Sequence, residues 1–126
     1  MVRIERNEHK SGGQNMFELT NEQKLLVKLV KEFSQNELAP IADEMDKTGH
    51  FPQEILKKIA KTGLFGLNVP KEYGGAGLKE VDKVYAISEM ARACTSTAEM
   101  YSVQLMVNKI ILTHGTEDQK RKYLGM

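Results

Sequence analysis

From Thr20 onward the apolar residues of this chain recur at helical spacing, and no segment shows the alternation of a half-buried strand. A sheet-built fold is therefore excluded at the outset. Thr20 followed by Gln23 is a capping-box pattern. Leu25, Leu26, Leu29, Val30 and Phe33 then make one apolar face opposite Lys24, Lys28, Lys31 and Glu32. Pro40 opens a second, short helix that carries Ile41, Ala42 and Met45 and closes at Gly49. Pro52 takes the first position of a third, with Ile55, Leu56 and Ile59 inward and Gly63 as a left-handed cap.

Between residues 64 and 78 the period disappears. Pro70 disfavours helix at Val69, and Gly74, Gly75 and Gly77 permit backbone angles that other residues avoid. A fourth helix is predicted over residues 80–93, burying Val81, Val84, Tyr85 and Ile87, and a fifth over residues 96–113 with Gly115 behind it. Thr116 and Gln119 form a second capping box, and Glu117 and Asp118 suit a helix N-terminus. That sixth helix carries only residues 120–124 before the sequence stops. The fold expected is an all-α bundle of about six helices in one domain. Residues 1–15, which lack apolar periodicity and contain a Ser-Gly-Gly run, are expected to be a flexible leader to a domain over residues 16–126.

Composition narrows the chemistry. Eighteen Lys and Arg against 17 Asp and Glu leave no global field to recruit nucleic acid or an anionic membrane. One cysteine, Cys94, excludes an internal disulfide framework and a cysteine-cluster metal site, and is expected to be a buried small hydrophobe. The least charged stretch, residues 93–107, is too short and too polar to span a bilayer. The N-terminus has no apolar core of a signal peptide, so a cytoplasmic compartment is expected.

Few residues invite a chemical role. The GGAG turn, Gly74 to Gly77, is not the G-x-G-x-x-G that follows a strand in dinucleotide folds, and is expected to be a tight structural loop. His9, His50 and His114 have no partners at ligand spacing. Glu99 is the one carboxylate on a helix otherwise poor in charge, and is expected at the surface or paired. The fifth helix carries a single charge between Thr95 and Met106, which describes a helix covered on nearly every face. Ala98, Ser102 and Met106 share one of those faces at i, i+4, i+8 spacing. That face either leaves space for a ligand or is filled by neighbouring helices, and the spacing alone does not choose.

Five pieces in order, FELTNEQ, the stretch at residues 37–52, KTGLFGLNVPKEYGGAG, ISEMARACTST and HGTEDQKRKYLG, resemble the amino-terminal helical domain of the flavin-dependent acyl-CoA dehydrogenases. The likeness covers residues 17–126. It implies a flavoenzyme that removes two hydrogens from the α and β carbons of an acyl-CoA thioester. A glutamate serves as base, FAD accepts the hydride, and an electron-transferring flavoprotein reoxidises the flavin. In that family a middle β-barrel and a second helical bundle supply the catalytic base and most FAD contacts. The resemblance thus places no catalytic residue here and implies that this chain alone is inactive, one third of an enzyme that forms a homo-oligomer.

Carried over by position, the resemblance implies that Ala98, Ser102 and Met106 border the fatty-acyl cavity. It also implies that Leu26, Leu64, Ala76 and Ile87 form the docking pocket for the electron acceptor. Ala76 departs from the large aliphatic found at that position in some relatives. Two alternatives use the same fold: a helical interaction module without catalysis, and the equivalent domain of an acyl-CoA oxidase.

Overall fold

The computed structural model describes residues 18–125, and the leader expected at residues 1–15 lies outside them. Six α-helices are found among the described residues: α1 (Asn21–Phe33), α2 (Ala39–Thr48), α3 (Gln53–Lys61), α4 (Glu80–Ala93), α5 (Thr95–His114) and α6 (Glu117–Leu124). The described residues contain no strand, and no helix among them is long and apolar enough to cross a membrane.

Local chemistry sets most of the helix ends. Thr20 Oγ1 accepts from the Gln23 N–H while Gln23 Oε1 accepts from the Thr20 N–H, and Thr116 and Gln119 repeat that reciprocal pair at α6. Gly49 ends α2 in the left-handed region at φ 66°, where a side chain would be strained. Pro52 sits one residue outside α3, as its N-cap rather than its first turn.

The break expected at Pro40 is absent. α1 and α2 run on through a π-helical segment, Ser34–Leu38, in which the Ala39 N–H donates to the Ser34 carbonyl five residues back. The wider turn accommodates a proline whose ring would otherwise press on the carbonyl four residues earlier. Lys58 of α3 pairs with Glu37 of this segment.

Tyr101 of α5 stands at the centre, fully buried, with Val30, Leu38, Ile59, Leu64, Met90 and Leu105 in the same core. Its hydroxyl donates to the Leu64 carbonyl at 2.9 Å. A buried hydroxyl without that partner would cost about 1–3 kcal/mol. Burial holds the Tyr101 phenol well above the usual tyrosine range. Cys94 is buried as expected and accepts from the Thr97 hydroxyl at 3.2 Å.

Three burial expectations need correction. Leu25 and Leu29 are 68% and 43% exposed, because α4 covers only the Val30 side of α1. On α4 the buried line is Asp82, Ala86 and Met90, whereas Val81 and Val84 face outward. The charge-poor α5 is not covered on every face: Val103, Met106, Val107 and Ile110 form an open stripe at i, i+3, i+4, i+7.

Candidate functional site

The segment between α3 and α4 folds as two short 3₁₀ turns, Leu64–Gly66 and Lys71–Tyr73, followed by the glycine-rich turn. Every backbone N–H from Gly74 to Leu78 is committed within the loop. Gly74 donates to Lys71, Gly75 to Pro70, Ala76 to Gly66, Gly77 to Val69 and Leu78 to Leu67, all at 2.8–3.2 Å. None of these five amides is left free to cradle a phosphate. The loop is structural, as its spacing suggested.

What the loop does build is a wall. With the first turns of α1 and α4 it encloses a groove of about 530 Å³. Leu25, Leu26, Ala76 and Leu78 give it an apolar lining, and Lys71, Lys79 and Glu22 mark its polar rim. The base is polar: Asp82, only 6% exposed, accepts at one oxygen from the Gln23 amide (2.8 Å) and at the other from the Lys79 N–H (2.8 Å).

Of the four residues assigned to docking by resemblance, Leu26 and Ala76 line this groove together. Leu64 is 2% exposed inside the core, and Ile87 packs half-buried against the same core away from the groove lining. The three residues assigned to the acyl cavity run along α5 from interior to surface. Ala98 is 2% exposed, Ser102 is half-buried with its hydroxyl donating to the Glu99 carbonyl, and Met106 is 54% exposed. Met106 thereby joins Val103, Val107 and Ile110 in the open stripe.

A buried amide cluster steadies the α5 end of the loop. Asn108 donates to the Phe65 carbonyl (2.7 Å) and to Asn68 Oδ1 (3.2 Å), and Asn68 donates to the Leu105 carbonyl (2.8 Å). At the other side Tyr73 donates to Glu117 (2.9 Å), which also accepts from Lys120 (3.0 Å), tying the loop to α6. The Glu117 carboxyl is held below the usual range by these two donors, Lys120 first. The same hydrogen bond pushes the Tyr73 phenol up.

Sequence reasoning found Gln23 as a cap but missed its bridge to Asp82, a residue 59 positions away. The available signal was an acidic residue at the third position of α4. No metal-binding group of three His, Cys, Asp or Glu exists among the described residues, where His50, His114 and Glu99 are exposed.

A family model described as acyl-CoA dehydrogenase, N-terminal domain, matches residues 20–126. An acryloyl-CoA reductase (NADH) of Anaerotignum propionicum is 43% identical over 86% of this chain and 27% of its own length. A short-chain-specific acyl-CoA dehydrogenase of Clostridium acetobutylicum is 42% identical over 86% of this chain and 29% of its own. A solved chain from the structure of the electron transferring flavoprotein of Acidaminococcus fermentans superposes with a TM-score of 0.83 at 32% identity, covering 86% of this chain and 29% of that one. The chain thus spans less than a third of the length of these relatives.

Proposed function

The chain belongs to the acyl-CoA dehydrogenase family as its amino-terminal helical domain, and from that premise we propose that it serves a flavoenzyme acting on the α and β carbons of acyl-CoA thioesters. Residues 16–126 are the domain proper in this reading. The relatives include both a reductase and a dehydrogenase, which supports the bond acted on rather than one direction. FAD, when bound in the complete enzyme, supplies the hydride acceptor or donor. In this reading the domain contributes binding surfaces, and the catalytic base lies outside it. The complete enzyme is a cytoplasmic homo-oligomer.

Two surfaces carry that role. α5 walls the acyl cavity with Ala98 deep, Ser102 midway and Met106 at the open end. The groove at Leu26 and Ala76 receives an aliphatic side chain of an electron-transferring flavoprotein, with Leu64 and Ile87 supporting its walls from the core. The observation that carries the reading is the open stripe of α5, where Val103, Met106, Val107 and Ile110 are 38–54% exposed on a helix whose other side is core. A contiguous apolar face of this kind is normally covered by a ligand or partner.

Because Ala98 is already packed in the core, enlarging it would disturb the fold, and Met106 is the better probe. In the holoenzyme, Met106→Trp is expected to lower kcat/KM for long acyl-CoA thioesters about tenfold or more relative to short ones, the effect of a few methylenes misplaced in a pocket. An equal fall for short and long thioesters would reject Met106 as part of the acyl wall.

A further inference from the structure

We propose that Gln23 is the positioning residue of the docking groove: its side-chain amide clasps the first turn of α1 to the first turn of α4 and thereby determines which partner side chain the groove accepts. The proposal rests on reading the groove as the docking site of an electron-transferring flavoprotein.

The amide of Gln23 is used at both ends. Its oxygen accepts from the Thr20 N–H at 3.0 Å, and its nitrogen donates to Asp82 Oδ1 at 2.8 Å. Both partners dictate that orientation, since a flipped amide would set N–H against N–H and oxygen against carboxylate. Asp82 is buried, and no basic side chain forms an ion pair with it among the described residues. Its remaining partner is the Lys79 N–H at the start of α4. Removing the Gln23 amide would therefore orphan a buried carboxylate oxygen, a far greater penalty than loss of an exposed hydrogen bond.

All four residues of this chain of hydrogen bonds line the groove. One groove wall follows α1 with Leu26, and the other follows Ala76 to Lys79. The two walls are thus tied at the groove by a directional 2.8 Å bond, beside the apolar packing of Val30 against Ala86 and Met90 deeper between the helices. A wall spacing held in advance favours one anchor and lowers the ordering cost of binding it.

The clasp has a reversal that preserves its chemistry. In a Gln23→Glu/Asp82→Asn double variant the new carboxylate accepts from Thr20 and from the new amide, whose oxygen accepts from Lys79. All three hydrogen bonds and the net charge survive. Gln23→Glu alone opposes two carboxylates, and Asp82→Asn alone leaves one oxygen to serve two donors. The two single variants and the double variant should therefore be strongly non-additive.

The test immobilises the 126-residue chain and titrates it with the electron transferring flavoprotein of Acidaminococcus fermentans. Each single variant is expected to weaken binding about tenfold or more, and the double variant to return within about threefold of the starting affinity, a recovery of about threefold or more. Thermal melts are recorded beside each titration, so a single variant that unfolds still leaves the double variant to decide. A double variant that folds but binds as weakly as the singles overturns the proposal, as do singles that bind like the parent chain. If the parent chain itself does not bind, the docking reading fails and the assignment of Gln23 falls with it.

Discussion

Substituting Gly75 with Ala should break the loop through a backbone collision. A Cβ placed there would sit 2.1 Å from the Val69 carbonyl oxygen, 2.4 Å from its Cβ and 2.6 Å from its carbonyl carbon. These are main-chain and branch-point atoms with no rotamer to retreat into, so the loop must move. Overpacking of this sort costs about 1–3 kcal/mol. Displacement also loosens the adjacent hydrogen bonds from Gly75 to Pro70 and from Gly77 to Val69, at about 1 kcal/mol each. The sum is about 3–5 kcal/mol, a large part of the roughly 5–15 kcal/mol that holds a small domain together. The comparison variant is Gly49→Ala, where nothing lies within 4 Å and only the left-handed backbone (φ 66°) resists a side chain. That costs about 1 kcal/mol. Melting followed by circular dichroism should show a fall of more than about 10 °C for Gly75→Ala and roughly 4 °C for Gly49→Ala, at about 4 °C per kcal/mol. Equal shifts would refute the collision as the reason for glycine at position 75.

Thr116→Ala should cost about 1 kcal/mol and fray α6, seen as faster amide exchange over residues 117–124, and unchanged exchange would reject the cap. Ser34→Ala should leave stability unchanged or raise it by up to about 1 kcal/mol in a urea titration, because the Ser34 hydroxyl is buried with no hydrogen-bond partner. A clear loss would show that the hydroxyl is satisfied. The Glu117 carboxyl lies below its ordinary value of 4.5, so its contribution is complete above that value and lost as pH falls through the folded one. The Tyr73 phenol lies above 10.0, so its contribution is complete below that value and lost as pH rises past it. Intrinsic-rate-corrected protection of the α6 amides should therefore hold from about pH 5 to 9 and fall outside that window, and a profile flat into acid would remove the tie to the loop.

Features written in adjacent residues were legible in the sequence. The capping boxes at Thr20 and Thr116 and the start of α4 at Glu80 depend on side chains within one turn of the backbone they satisfy, and the helix ends at Gly49 and Gly63 on residues that have no Cβ to resist a positive φ. What depended on a distant neighbour was not legible. Leu25 and Leu29 belong to an apolar stripe wider than α4 covers, and Val84 faces outward because Ala86 and Met90 take the interior line. At the candidate site the resemblance placed Leu26 and Ala76 on what proves to be one groove, while Leu64 sits too deep to be reached from it. The Gln23–Asp82 bond spans 59 positions and has no local pattern to betray it.

The π segment gives the long first helix a spare residue. An uninterrupted α-helix drifts by about 40° every four residues, which would carry Leu38 about 80° off the line of Val30. The wider turn advances less per residue and keeps Val30, Ser34 and Leu38 buried on one line. A turn with one residue too many is also a turn that can lose one. Deleting a single position within 34–38 would collapse it to ordinary helix without rotating α2, provided that Pro40 is replaced at the same time to relieve its clash with the tightened turn. Anywhere else in α1 or α2 the same deletion would turn everything beyond it by about 100°. Length variation in this helix is thus admissible at one place, and the proline guards it.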